Sequence, residues 1–212
     1  MSGHETPDEI NQRANEKARK RKEVRDRMLA TKTVEKGLLI VHTGKGKGKS
    51  TAAFGLAARA LGNRMRVGVV QFVKGKWETG ERKVLDRFPD QVTIRTMGEG
   101  FTWETQDRAR DIAATEAAWA AAVEMIEASR GPDPRYDMVI LDELNIVLRY
   151  DYLPLDAVVE TLNGRPPRLH VVVTGRNAKP ALIEAADLVT EMTQVKHPFR
   201  EQNVKAQRGI EF

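Results

Sequence analysis

The chain has 212 residues, 41% of them hydrophobic and 31% charged, which is enough apolar material for one full-sized core and too much for a disordered polymer. It contains no cysteine, so disulfides, thiolate metal sites, iron–sulfur clusters and a cysteine nucleophile are excluded. The formal charge of +5 favours anionic partners, a condition that nucleotides and nucleic acids meet equally. No apolar run approaches the ~20 residues that span a bilayer, and the N-terminal segment lacks the apolar stretch of a secretory signal. A cytoplasmic protein with no membrane partner is therefore expected.

Residues 1–36 are polar and charged, with the cluster Arg19, Lys20, Arg21, Lys22 and only scattered apolar residues such as Ile10, Val24, Met28 and Leu29. They read as an extension to a domain covering 37–212. Val24, Met28 and Thr31 fall at helical spacing, so the second half can form a weakly docked helix, while composition favours a solvated basic tail.

After Gly37 the texture changes to short apolar runs separated by helical stretches, the alternation of an α/β fold with a mostly parallel sheet covered on both faces. Strands are predicted at Leu38–Val41, Val67–Val73, Val92–Thr96, Met138–Leu141, Leu169–Val173 and Leu188–Met192. A helix is predicted over Thr51–Leu61, stopped by Gly62. A longer one is capped by Thr105 and ends near Arg130 and Gly131, with Ile112, Trp119, Val123 and Ile126 as its apolar stripe. Further helices are predicted at Leu155–Leu162 and from Pro180 to Asp187.

The first strand runs straight into Gly44, Lys45, Gly46, Lys47, Gly48, Lys49, Ser50 and Thr51, and a helix follows at once. This is the setting of a phosphate-binding P-loop. Glycines turn successive N–H groups toward one anion, the helix N-terminus adds its dipole, Lys49 supplies a point charge, and the Ser50 hydroxyl can ligate magnesium. The usual pattern has four residues between its first Gly and the Gly-Lys pair; here Thr43 occupies the place of that Gly and the loop is one residue tighter. Downstream, the apolar run from Met138 ends in Asp142 and Glu143, as a strand carrying a magnesium-holding carboxylate would. None of the histidines at 4, 42, 170 and 197 sits at metal-ligand spacing with another, and they read as structural or surface groups.

Beyond the loop, Arg59, Val69-Val70-Gln71-Phe72-Val73-Lys74-Gly75, the segment from Gly98 through Phe101 and Trp103 to Gln106, Leu141-Asp142-Glu143-Leu144, Tyr150 to Pro154, and the ending Val195-Lys196-His197 with Lys205 to Phe212 together resemble one family. It is the P-loop ATP:corrinoid adenosyltransferases, which act on cob(I)alamin and cob(I)yrinic acid a,c-diamide. The likeness covers about Gly37 to Phe212 and includes the shortened loop. It implies a P-loop NTPase-like (RecA-like) fold. It also implies transfer of the 5′-deoxyadenosyl group of ATP to the cobalt of a reduced corrinoid, with release of triphosphate, in adenosylcobalamin biosynthesis or salvage. ATP and corrinoid would be substrates, Mg2+ (or Mn2+) the metal, a reduced flavin protein the kind of electron donor, and a homodimer the assembly. The resemblance places Arg59 near the nucleotide and Glu143 near the metal or ribose. It sets Phe101 and Trp103 against one corrin face, where apolar bulk displaces an axial ligand and eases reduction of cob(II). Because cob(I) attacks carbon and has no proton to lose, no general base is required. The extension would be an active-site lid.

Three rivals belong to other classes. A nucleic-acid-stimulated ATPase draws on the basic cluster and the Asp142–Glu143 pair, but the short loop suits hydrolysis poorly, and nucleic acid is not the expected partner. A small-molecule kinase would need an arginine-bearing lid, for which Arg176 lacks lid-like surroundings. A nucleotide or corrinoid carrier would bind without turnover.

Overall fold

The apolar runs become strands, the central ones buried on both faces, as in parallel sheets covered by helices, and the two edge ones partly exposed. In the computed structural model, which describes residues 6–73, 79–97 and 107–211, they form β1 (Leu39–Thr43), β2 (Val67–Gln71), β3 (Val92–Thr96), β4 (Met138–Asp142), β5 (His170–Thr174) and β6 (Leu188–Glu191). All pair in parallel in the order β3-β2-β4-β5-β1-β6. Every residue of β1, β2 and β4 is buried. Alternation sends Leu39, Val41, Val139, Leu141, Val171 and Val173 to one face, and Ile40, Met138, Ile140 and Val172 to the other. All six predicted strands form, and the fold is the expected α/β sheet.

The helices sort by face. On the Ile40 side lie α2 (Lys49–Gly62), whose Ala53, Ala57 and Ala60 allow close approach to the sheet, and the short α3 (Gly80–Leu85), which contributes Leu85. The Leu39 face is covered by α4 (Arg108–Glu127), α5 (Leu144–Arg149), α6 (Leu155–Asn163) and α7 (Pro180–Ala185). A single turn, α8 (Pro198–Glu201), follows β6.

Two predicted helices differ in detail. Thr105 lies outside the described residues, and the cap of α4 is Asp107, whose carboxylate accepts from the Arg110 amide at 3.1 Å. The buried stripe of α4 is Thr115, Ala118, Ala122, Met125 and Ile126. Ile112 and Trp119 flank it, half-buried against the core. Small residues face the sheet over the middle of the helix, which leaves Trp119 at the margin, while Met125 and Ile126 are buried near its end. Helix α7 stops at Ala185 because Ala186 is extended, which frees Asp187 for a different job.

That job is an electrostatic clamp. The Asp187 carboxylate pairs with Lys36, accepts from the Leu39 amide at 2.8 Å, and accepts from Arg165 at 3.0 Å. Beside it, His170 Nδ1 accepts from the Leu38 amide at 3.1 Å, a structural use of that ring.

The chain divides into two compact units, Met1–Glu35 and Lys36–Phe212. The first holds α1 (Pro7–Ala30), opened by a reciprocal capping box between Thr6 and Glu9. This helix extends N-terminally beyond the half where spacing predicts one, and none of its residues is buried. No helix among the described residues is long and apolar enough to cross a membrane.

The clamp makes stability pH-dependent. The Lys36 hydrogen bond, then the Leu39 amide, and more weakly the charges of Lys36 and Arg165 hold the Asp187 carboxyl below its ordinary 3.8, against the opposing effect of burial. A depressed carboxyl contributes stability that is fully present above 3.8 and is lost as pH falls through the folded-state value. Asp187→Asn is expected to cost about 1–3 kcal/mol at neutral pH. It should also flatten the decline of melting temperature in acid; an unchanged acid limb in the variant would count against the clamp.

Candidate nucleotide-binding site

The phosphate loop is shaped by main chain on both sides. Strand β1 delivers Gly44 with φ +95°, and Gly48, at φ +105°, caps α2 in the left-handed region. Across the loop stands the residue after β6: the Met192 amide donates to the Thr43 carbonyl at 2.9 Å, and the Gly46 amide donates to the Met192 carbonyl at 2.7 Å. A Cβ on Gly44 or Gly46 would lie 2.4 or 2.8 Å from that same Met192 oxygen. Glycine here is a packing requirement as well as a conformational one.

Lys49 opens α2 with its side chain 6% exposed and its ammonium donating to the Gly46 carbonyl. Burial lowers its pKa first; Glu143 opposes this, while Arg176 and Lys47 add to it. Four charges therefore converge here, three of them cationic. Lys47 pairs with the Glu211 carboxylate, whereas Lys45 is exposed. Ser50 is half-buried and Thr51 exposed on the first turn of α2. From Thr51 a cavity of about 400 Å³ follows the outer face of α2 past Gly55 to Ala58, closed by Val84 and Ile210.

A polar chain crosses the carboxyl ends of four strands. Thr96 of β3 donates to Gln71 of β2 at 3.0 Å, and Gln71 donates to Asp142 of β4 at 3.3 Å. Thr174 of β5 donates to the other Asp142 oxygen at 2.8 Å and accepts from the Glu143 amide at 2.9 Å. Asp142 is fully buried, so these bonds hold its carboxylate in place. Glu143 sits in the left-handed region at φ +66°, which turns it out of the strand, and its charge acts on Lys49. The two carboxylates thus divide the work: Asp142 is locked into the strand ends, and Glu143 faces the loop lysine.

The oxygen donors fit a hard divalent cation: the Ser50 hydroxyl, the Glu143 carboxylate and, behind it, Asp142. No group of three or more acidic or imidazole side chains gathers as a metal site among the described residues.

The structure brings Gly44 to Thr51, Asp142 and Glu143 to one edge. It does not bring Arg59 there. That residue lies on the last turn of α2, exposed, ten residues and ~15 Å along the axis from Lys49. Phe101 and Trp103 lie outside the described residues. His42 is buried under the loop, with neither ring nitrogen hydrogen-bonded among the described residues, and burial lowers its pKa. Sequence reasoning missed Gln71, Thr174, Asn145 and the Met192 main chain. The first two carried a signal: each strand ends in a polar residue, Thr43, Gln71, Thr96, Asp142, Thr174 or Glu191.

Lys49→Met should separate binding from folding. Removing one charged hydrogen-bond donor to phosphate is expected to weaken ATP binding about 10–100-fold. Because Lys49 is desolvated, the melting temperature should hold or rise. Calorimetric titration and thermal melts check both, and unchanged ATP affinity would remove Lys49 from the site.

Comparison with known proteins identifies the family. The family model described as ATP:corrinoid adenosyltransferase BtuR/CobO/CobP matches residues 35–212. The corrinoid adenosyltransferase of Pseudomonas aeruginosa is 53% identical over 209 residues, covering 99% of this chain and 100% of that protein. That of Sinorhizobium sp is 56% identical over 198 residues, covering 92% and 90%. Corrinoid adenosyltransferase CobA of Salmonella typhimurium is 46% identical over 201 residues, covering 95% and 98%. With its tight glycine loop, buried Lys49 and paired strand-end carboxylates in the matched region, the chain belongs to the ATP:corrinoid adenosyltransferase family.

Proposed function

We propose that this protein is an ATP:corrinoid adenosyltransferase that joins the 5′-deoxyadenosyl group of ATP to the cobalt of a reduced corrinoid. The cobalt–carbon bond forms as the C5′–O bond breaks, and the electron pair of that bond leaves on triphosphate. The observation that carries this reading is the loop itself: a turn one residue tighter than usual, packed against the Met192 main chain, with a desolvated lysine beneath it. A loop of that kind suits gripping a triphosphate as the leaving group.

The protein's part is to orient and to neutralise. Loop amides, Lys49 and the first turn of α2 would meet the charge that grows on the departing triphosphate. Lys47 would join them on release from Glu211, and Lys45 is free to approach from solvent. Ser50 and Glu143, with Asp142 behind, would hold magnesium, which supplies further charge neutralisation when bound. Holding C5′ in line with cobalt supplies part of the ~7–11 kcal/mol available from positioning. Arg59, on the last turn of α2, would meet a part of the nucleotide remote from the triphosphate.

Phe101 and Trp103 are assigned to the corrin face, where they favour reduction of cob(II) by excluding its axial ligand. A reduced flavin protein is the proposed electron donor, a homodimer the proposed assembly, α1 the proposed lid, and the cytoplasm the proposed location. The electron itself comes from the donor, since the chain has no cysteine and thus no thiol couple of its own.

Mixing the protein with MgATP and chemically reduced cob(I)alamin should give the spectrum of a light-sensitive alkylcobalt product and one intact triphosphate per turnover. Release of inorganic phosphate stimulated by DNA or RNA would instead favour the ATPase reading. The Phe101→Ala, Trp103→Ala double variant is expected to keep ATP affinity and turnover on preformed cob(I). It should lose most turnover when a weak reductant must first reduce cob(II); full activity under that condition would reject the aromatic assignment.

A further inference from the structure

Among the strand ends, the turn after β5 is tied most closely to the phosphate loop. At its start, the Gly175 carbonyl accepts from the buried Asn145 side chain at 3.0 Å. At its end, the Ala178 amide donates to the hydroxyl of Thr43, the last residue before the loop, at 3.0 Å. Arg176 and Asn177 are therefore suspended between the Asp142–Glu143 turn and the mouth of the phosphate loop.

The backbone of this turn is closely constrained. Gly175 has φ +125°, and a Cβ there would lie 2.8 Å from Asn145 Cβ and 3.2 Å from both the Asn145 nitrogen and a Glu143 carboxylate oxygen. Asn177 follows at φ +57°. Gly175 takes this conformation freely and Asn177 tolerates it better than most residues, so the two positions fix the course of the turn around Arg176.

Arg176 is exposed, and no hydrogen bond or ion pair engages it among the described residues. Arg82, Arg130 and Arg165, by contrast, are each paired with a carboxylate. The turn is tied to Thr43 at the mouth of the loop, and the charges of Arg176 and Lys47 both act on Lys49, with Glu143 as the opposing carboxylate. Like charges gathered at one strand edge repel until a polyanion arrives, and a guanidinium is the cation best shaped for a bidentate grip on phosphate oxygens.

We infer that Arg176 is a second cationic ligand of the triphosphate, carried to the loop by the Gly175–Asn177 turn. As the C5′–O bond breaks, the added negative charge on the leaving group is met by this guanidinium together with Lys49. The inference rests on the proposed reading that MgATP occupies the Gly44–Thr51 loop, and it gives a role to an arginine that the kinase rival could not use.

The test compares wild type, Arg176→Ala and Arg176→Lys, each with thermal melts. Calorimetric titrations use ATP, AMP and inorganic triphosphate in the presence of magnesium, and steady-state rates use cob(I)alamin. Arg176→Ala should weaken ATP and inorganic triphosphate about 10–100-fold, leave AMP within about 2-fold, and lower kcat. The lysine variant should recover part of the loss, because it restores the charge but not the fork. Unchanged affinity for inorganic triphosphate in the alanine variant would overturn the inference. An equal loss for AMP, accompanied by a lower melting temperature, would also overturn it, since that pattern marks a structural role. Failure of the proposed function is visible separately, as wild type that neither binds ATP nor turns over.

Discussion

The site depends on a main-chain contact between the sixth strand and the phosphate loop. Met192 accepts from Gly46 and donates to Thr43, which leaves no volume for side chains at Gly44 and Gly46. This clasp holds the turn in its tight form before any ligand arrives. Pre-ordering matters because loop amides aimed at phosphate oxygens without reorganising give the largest electrostatic stabilisation of a leaving group. Since β6 is an edge strand paired only with β1, the loop inherits its position from the sheet with one strand between them and the core.

Electrostatics at the strand ends follow from which groups are satisfied and which are not. Asp142 is bonded through both oxygens to neighbouring strands and serves as a fixed post. Glu143, turned outward by its positive φ, offsets part of the cost of burying Lys49. Lys47 and Arg176 add positive charge that Glu143 alone does not balance. The pairing of Lys47 with Glu211 moderates this excess in the ligand-free chain, and a bound triphosphate would compete with that carboxylate for the same ammonium.

Much of this was legible from residue pattern alone. Apolar runs such as Val67–Val73 and Met138–Leu141 announced a sheet buried on both faces, and Gly44 to Thr51 announced an anion site, because backbone geometry and apolar burial leave direct marks in sequence. The interior stripe of α4 was misread around Trp119 because periodicity weights large residues. Packing against a sheet instead rewards small ones, here Ala118 and Ala122. Gln71 and Thr174 went unseen as site residues because their partners lie on strands far apart in sequence. Met192 left no mark at all, since its contribution passes through peptide groups that every residue but proline possesses. Arg176 was visible only as a spare arginine until the turn around it was known.

Helix α1 carries a consequence for calorimetry. At 24 residues it is a rod of ~36 Å with no buried side chain, held by local capping and ion pairs such as Lys20 with Glu16. Melting it exposes almost no apolar surface, so it adds little to the heat capacity change, which scales with that exposure. The heat capacity change per residue on unfolding the full chain should accordingly fall below the value of a uniformly packed protein of this length.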